Sequence, residues 1–471
     1  MMQGQLVDAG SLFPQAKVLP STRRFPLVLF LVFQILLISL WVWRGEIFYL
    51  PLAIIGSWIL YLCATSLLAW IPLAVLGHAA LFFQRTEGVA ASEIVFAIFF
   101  YGMLVLWFID ALFVRRQKLL SVPGDRLLLI FLMLAAFSIV PAAAGGNKLF
   151  LWVREFVVFA ALLFYFPLRE ALATEKGRKI VYGAFLLVSL AIAMKNLYEY
   201  RSGTAVAMYV WQLLGARQTA NEPLFMAVIL AALAAWMTTS NRWVQVACLF
   251  IVPLFSLSLI FTFSRGYWLG TLLGAIVLLL LGNRQEKRRL LLFGAIVALA
   301  AVGVIIVAFS DIFLALLSMV ARRFFSATTA ASDRSLANRL VEAGVVWDLI
   351  MKNPIIGAGL GAEYSYYHLL RSSTQKTMFV HNGYLYLWFK LGIFGLLAFL
   401  GTFLAKISQG VRTIRDRNVL FRNPFVLAST AILIAMLQVS FTSPQFYARD
   451  SVLIICICWA TIAAAADAAK N

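Results

Sequence analysis

Met378–Leu397 reads MFVHNGYLYLWFKLGIFGLL, a histidine and an asparagine at the mouth of an almost uninterrupted apolar run. A run that is apolar on every side suits a helix surrounded by lipid, and runs of this kind recur along the chain. On a helix, residues three, four, seven, eleven and fourteen positions after His381 return to its face. That face collects Tyr384, Leu385, Trp388, Gly392 and Gly395. The glycines predict close approach by a neighbouring helix, with Tyr384 and Trp388 bracing the ring end. His381 then reads either as an interfacial helix cap or as a chemically active ring on a rigid stalk.

Composition places the remainder in the same solvent. Of 471 residues 63% are hydrophobic and the mean hydropathy is +0.92, so no water-facing surface of ordinary polarity can be assembled. The fold class is therefore an all-α polytopic membrane protein, since continuous apolar runs exclude an alternating transmembrane barrel. The net charge of +19 sits in short loops between apolar runs, as the positive-inside bias predicts, so no nucleic-acid partner is expected. Cys63, Cys248, Cys456 and Cys458 lie in apolar runs and read as packing residues.

The order of the runs sets an expected topology. Residues 1–24 form a cytoplasmic N-terminal segment without a signal-peptide pattern, and Arg23 and Arg24 orient the first span, Phe25–Trp43. Ile47–Phe83 is long enough for two tightly joined spans. The bundle continues through 309, 310–380 is a large helical insert on the outer face, and 381–471 holds the last helices around a basic inner loop with Lys406, Arg412, Arg415, Arg417 and Arg422. The count is about twelve to fourteen spans, with both termini cytoplasmic. No inverted repeat is visible, which weakens a transporter reading. That reading rests on Arg154, Glu155 and Lys195 as charged groups in or near the spans.

By this topology Arg265, the insert and His381 meet at the outer face. Arg265 lies at the tight end of a helical hairpin, where it serves either as a site residue or as a snorkelling anchor. Within the insert, Ser332 or Asp333 caps a helix running to about Lys352. Its apolar stripe is Leu336, Leu340, Ala343, Trp347 and Ile350. Arg339 adjoins that stripe, facing either Arg265 or the headgroups. Gly357, Gly359 and Gly361 follow a helix rather than a strand, so they read as a flexible turn and not as a dinucleotide loop. His78 and His368 stand apart from His381, and no outer Asp-x-Asp pair occurs, so no metal site is expected. A neutral-pH base beside arginine forks suits a lipid-linked diphosphate and a sugar hydroxyl.

These residues resemble a known family. His381, Asn382, nine residues, Gly392, two residues and Gly395 are similar to the H-[NSQ]-x9-G-x-x-G signature of bacterial O-antigen ligases, within the O-antigen ligase and polymerase superfamily. The Ser264–Arg265–Gly266 turn, the Asn221 segment and NRLVEAGVVWDLIMKNPIIGAGLG (338–361) support the resemblance. It is specific from about Ile180 onward and rests on hydropathy before that. It implies a GT-C-like fold and transfer of a glycan from an undecaprenyl-diphosphate-linked donor to lipid A-core oligosaccharide, at the periplasmic face of a Gram-negative inner membrane. No metal or cofactor is implied, and the partners are the two substrates and membrane lipids. His381 would be the base, with Arg265 and Arg339 on the diphosphate. Arg217, Asn221, Asn382 and Tyr384 are further candidates for donor or acceptor binding.

Overall fold

The computed structural model describes residues 30–32, 34–36, 38–39, 50–82, 91–205, 221–308, 317–318, 321, 334–369, 371–415 and 423–468. In chain order its helices begin with α1 (Leu50–Thr65), α2 (Leu67–Phe82) and α3 (Ala91–Ile109), the last continued by a π turn at Asp110–Val114. Then come α4 (Asp125–Phe137), α5 (Ile139–Ala144), α6 (Leu149–Ala160), α7 (Tyr165–Leu172), α8 (Glu175–Ala205), α9 (Glu222–Thr238), α10 (Arg242–Ile260), α11 (Arg265–Leu281) and α12 (Arg284–Ala308). Helix α13 (Arg334–Lys352) is followed by a hairpin of β1 (Tyr364–His368) and β2 (Ser373–Thr377), and by α14 (Gly383–Arg415), α15 (Pro424–Val439) and α16 (Arg449–Ala468). Among the described residues seven helices are long and apolar enough to cross a membrane, or eight if one bent pair is a single span. The chain is an all-α polytopic membrane protein, and the hairpin is an addition that its tyrosine-rich strand did not signal.

Two compact units are present: Met1–Lys118 with Phe164–Val188 and Lys470–Asn471, and Leu119–Leu163 with Ser189–Ala469. In the first, Ile54–Thr65 and Leu67–His78 are bent by 116°, so the described part of the run expected to hold two joined spans forms a broken span or a re-entrant pair. The reason is length, because a 16-residue helix rises only about 24 Å against roughly 30 Å of hydrocarbon. Arg115 is held by Asp110 at 2.7 Å and Glu170 at 2.6 Å, and the Trp107 indole donates to Glu170.

The second unit carries the candidate site. Its centre is α9, α15 and α16, whose side chains are buried nearly all round. Helices α9 and α15 are short for a span, as a helix shielded from lipid by its neighbours has no need to match the bilayer. Helix α11 packs on α15 and α9 along Gly266, Gly270 and Gly274. A Cβ at Gly270 would lie 2.5 Å from the Val439 side chain and one at Gly274 2.4 Å from that of Leu230, so the bare turns let neighbouring side chains lie directly on the α11 backbone.

Helix α14 is not the continuous stalk that its pattern suggests. Gly392 has φ 68° and ψ −177°, and the helix breaks there. Segment 354–362 enters the break as a strap. Ile393 N–H donates to Pro354 O at 3.0 Å, Ala358 N–H to Phe389 O at 2.8 Å and Gly359 N–H to Lys390 O at 3.0 Å, so the interrupted backbone groups find partners in the strap. A Cβ on Gly392 would sit 1.9 Å from Ile355 O. The glycine therefore admits the strap, not a neighbouring helix. Gly357, Gly359 and Gly361, read as a flexible turn, all have positive φ and press against backbone of Lys390, Ala142 and Leu151–Trp152. The turn is locked, because glycine is the residue that reaches both that conformation and that proximity at little steric cost.

Candidate active site

The ends of several second-unit helices converge at one end of the bundle. Loop 440–448, between α15 and α16, is the seam. Gly383 N–H donates to Ser440 O at 2.8 Å, and a Cβ on Gly266 would meet Thr442 Oγ1 at 2.5 Å. The starts of α14 and α11, carrying His381 and Arg265, thus abut loop residues two positions apart, at most ~7 Å of chain. Gln445, 1% exposed, ties the seam to both flanks, donating to the Tyr267 hydroxyl and accepting from Ser451 Oγ at 2.6 Å. The strap reaches the same end, where Asn147 Nδ2 donates to Ala358 O at 3.0 Å. At the opposite end, Asp125 and Lys406 form a fully buried pair at 2.6 Å.

His381 stands two residues before its helix, not within it. Asn382 starts the helix, its Oδ1 accepting from Tyr384 N–H at 2.9 Å and Leu385 N–H at 3.0 Å. The Tyr384 hydroxyl donates to Leu437 O at 2.6 Å and anchors α14 to α15. The His381 ring meets Phe379 edge-on at 5.0 Å. Its Nδ1 lies 2.5 Å from Glu342 Oε2. The His381 side chain is 33% exposed and that of Glu342 2%. An ionised carboxylate only accepts, so Nδ1 carries the proton and Nε2 presents its lone pair. The other oxygen of Glu342 is 2.6 Å from the Tyr364 hydroxyl, which also lies 2.7 Å from Phe379 O. Burial, and then the hydrogen bond to Glu342, push the Tyr364 phenol well above its ordinary range, keeping it protonated as a donor.

Glu342 is the member of this constellation that the pattern reading missed. The face of α13 turned inward is Asn338, Glu342, Val346 and Ile350, spaced four apart, while Leu340 and Trp347 from the expected apolar stripe are 64% and 45% exposed. The expected stripe is split: Ile350 is buried while Leu340 and Trp347 are outward, and the polar Asn338 and Glu342 share the buried side. Four-residue spacing of Asn338 and Glu342, a buried-type polar pair on a helix beside the histidine, was the available signal. Asn338 Oδ1 accepts from Leu369 N–H at 2.9 Å, fastening the hairpin to α13.

The arginines are placed by these same elements. Arg265, half-buried, opens α11 after a turn in which Phe263 adopts φ 53° and the Ser264 hydroxyl, instead of capping the helix, donates to Glu222 Oε1 at 2.8 Å. Asn221, with φ 66°, immediately precedes Glu222, so the Asn221 segment and the Arg265 turn are joined. Arg339, half-buried, precedes Glu342 by three residues, a neighbouring position on one helix side. Arg217, the capping pair Ser332 and Asp333, residues 1–24, Arg417 and Arg422 lie outside the described residues. Of the charges on which a transport pathway would rest, Lys195 pairs with Glu199 one turn on and Glu155 with Lys390. Among the described residues no group of three or more His, Cys, Asp or Glu side chains is arranged to hold a metal ion.

Residues 250–400, which span Arg265, Arg339, Glu342, Tyr364, His381, Gly392 and Gly395, match the family model described as O-antigen ligase. This match, over about a third of the chain, supports membership of the O-antigen ligase/polymerase superfamily. No curated protein matches it. The matched region holds the histidine–glutamate pair, both half-buried arginines and the strap, so the family match and the constellation coincide.

Proposed function

We propose that this protein is an O-antigen ligase, a GT-C-type glycosyltransferase that moves a glycan from undecaprenyl diphosphate to lipid A-core oligosaccharide at the periplasmic face of the inner membrane. The observation that carries the reading is the His381–Glu342–Tyr364 relay, with a free Nε2 at the end of the bundle where Arg265 also lies. His381 Nε2 takes the proton of the acceptor hydroxyl as its oxygen attacks the anomeric carbon. The bond from that carbon to the diphosphate breaks, undecaprenyl diphosphate leaves, and the configuration inverts. Glu342 holds the proton on Nδ1 and stabilises the imidazolium as it forms. Arg265 and Arg339 bind the diphosphate and stabilise the charge on the leaving group without a metal, and Asn221, Asn382 and Tyr384 line or brace the substrate sites.

Purified protein in detergent, given lipid-linked glycan and lipid A-core, is expected to join them, and His381→Ala to abolish joining while the protein elutes as a folded species. An alanine variant that ligates at the normal rate refutes the base assignment. Activity lost in chelator and restored by magnesium refutes the metal-free route. Replacing the core acceptor by a second donor glycan or by pilin decides between ligase, polymerase and protein O-oligosaccharyltransferase.

A further inference from the structure

Lys390 is fully buried nine residues beyond His381, and nothing in the proposed chemistry uses it. Its ammonium donates to Ala362 O at 2.5 Å and lies 3.2 Å from Glu155 Oε2, also fully buried. The same Glu155 oxygen accepts from Gly361 N–H at 2.5 Å. The pair therefore grips the strap at two successive residues. Two residues beyond Ala362 is Tyr364, whose hydroxyl meets Glu342, and Glu342 meets His381. The connections close on themselves: from His381 into the first turns of α14 as far as Lys390, across to Ala362, along the chain to Tyr364, across to Glu342 and back to the imidazole.

A closed ring of short contacts sets the imidazole's position more firmly than one hydrogen bond, because displacement at any member must be taken up by all. A buried ion pair is seldom the most stabilising content for its volume, which makes a role in specifying geometry worth testing here. We propose that Lys390, with Glu155, is a positioning residue of the active site. It aims His381 by clamping the strap that carries Tyr364, and its effect passes through Tyr364 and Glu342. The inference rests on the catalytic role proposed for His381, and the test separates the two.

Removing one partner alone strands a buried charge, so the variant of choice is the neutral pair Glu155→Gln with Lys390→Met, checked by monodisperse elution. With lipid-linked glycan and acceptor in detergent, kcat is expected to fall about 10- to 100-fold with KM within threefold. In a Tyr364→Phe background the same pair should lower kcat less than twofold further, since the route is already cut. A purely structural role predicts equal loss in both backgrounds, and that additivity overturns the proposal. A second readout does not depend on the reaction. In a His368→Asn background, His381 carbethoxylation followed by peptide mass spectrometry should slow at least threefold in the neutral pair, and an unchanged or faster rate overturns the proposal. Slowed modification together with a fully active His381→Ala variant upholds the positioning while refuting the catalytic assignment.

Discussion

Replacing Glu342 by glutamine removes one charge and almost nothing else. The amide keeps the volume: its one oxygen can accept from His381 Nδ1, while its NH2 donates to the Tyr364 hydroxyl, which keeps Phe379 O at 2.7 Å as its own acceptor, so folding should change little. What disappears is the attraction between carboxylate and imidazolium, which exists only once His381 has taken the acceptor proton. Two unit charges about 4 Å apart at an effective dielectric of ~20 attract by about 4 kcal/mol. The excess of a charge-assisted hydrogen bond over a neutral one is about 1–1.5 kcal/mol. These bounds correspond to a loss of roughly 10- to 1,000-fold. Because the interaction strengthens only along the reaction, the loss should fall on kcat, leaving KM for donor and acceptor within about threefold. Steady-state transfer in detergent, with thermal unfolding measured in parallel, provides the test. A variant with kcat within threefold of wild type, or one whose loss lies wholly in donor KM, refutes the orienting role of Glu342.

Arg265→Lys and Arg339→Lys keep the charge but lose the planar fork, so each should lower kcat/KM for the lipid-linked donor at least about tenfold; unchanged donor kinetics would remove that residue from the diphosphate site. Gly392→Ala places a methyl 1.9 Å from Ile355 O at φ 68° and should expel the strap, seen as proteolytic cleavage within 354–362 and loss of transfer; a fully active, protease-resistant variant contradicts the locked-strap reading. The raised phenol of Tyr364 also fixes a sign. Its folded pKa lies above its unfolded one, so the stability it adds over Tyr364→Phe is complete below the ordinary phenol value of about 10 and shrinks as pH rises above that. Thermal unfolding of the two proteins from pH 7 to 11 should show a constant gap that narrows only at the alkaline end, and a gap that widens there contradicts the assignment.

How much could be read without coordinates follows from what lipid does to a chain. In hydrocarbon each backbone group must be satisfied within its own helix, so the spanning character of runs such as Asp125–Ala144 and Arg449–Ala468 is a local property, written in consecutive residues. The positive loops supply the expected sides. From there the meeting of the Arg265 turn with His381 is a matter of counting crossings, and Ser440 and Thr442 mark that meeting in the folded chain. The His381 signature was equally local. Periodicity alone did not single out the inward face of α13, where Asn338 and Glu342 are buried while Leu340 and Trp347 are exposed. The break at Gly392 and the locked glycines of the strap depend on backbone arriving from about 35 residues away, which no local pattern encodes. By itself, then, the sequence determined the solvent and the helices and singled out His381 with its arginines as candidates. Only the tertiary structure decided which carboxylate holds that base and what holds the carboxylate, because both rest on contacts between residues distant in the chain.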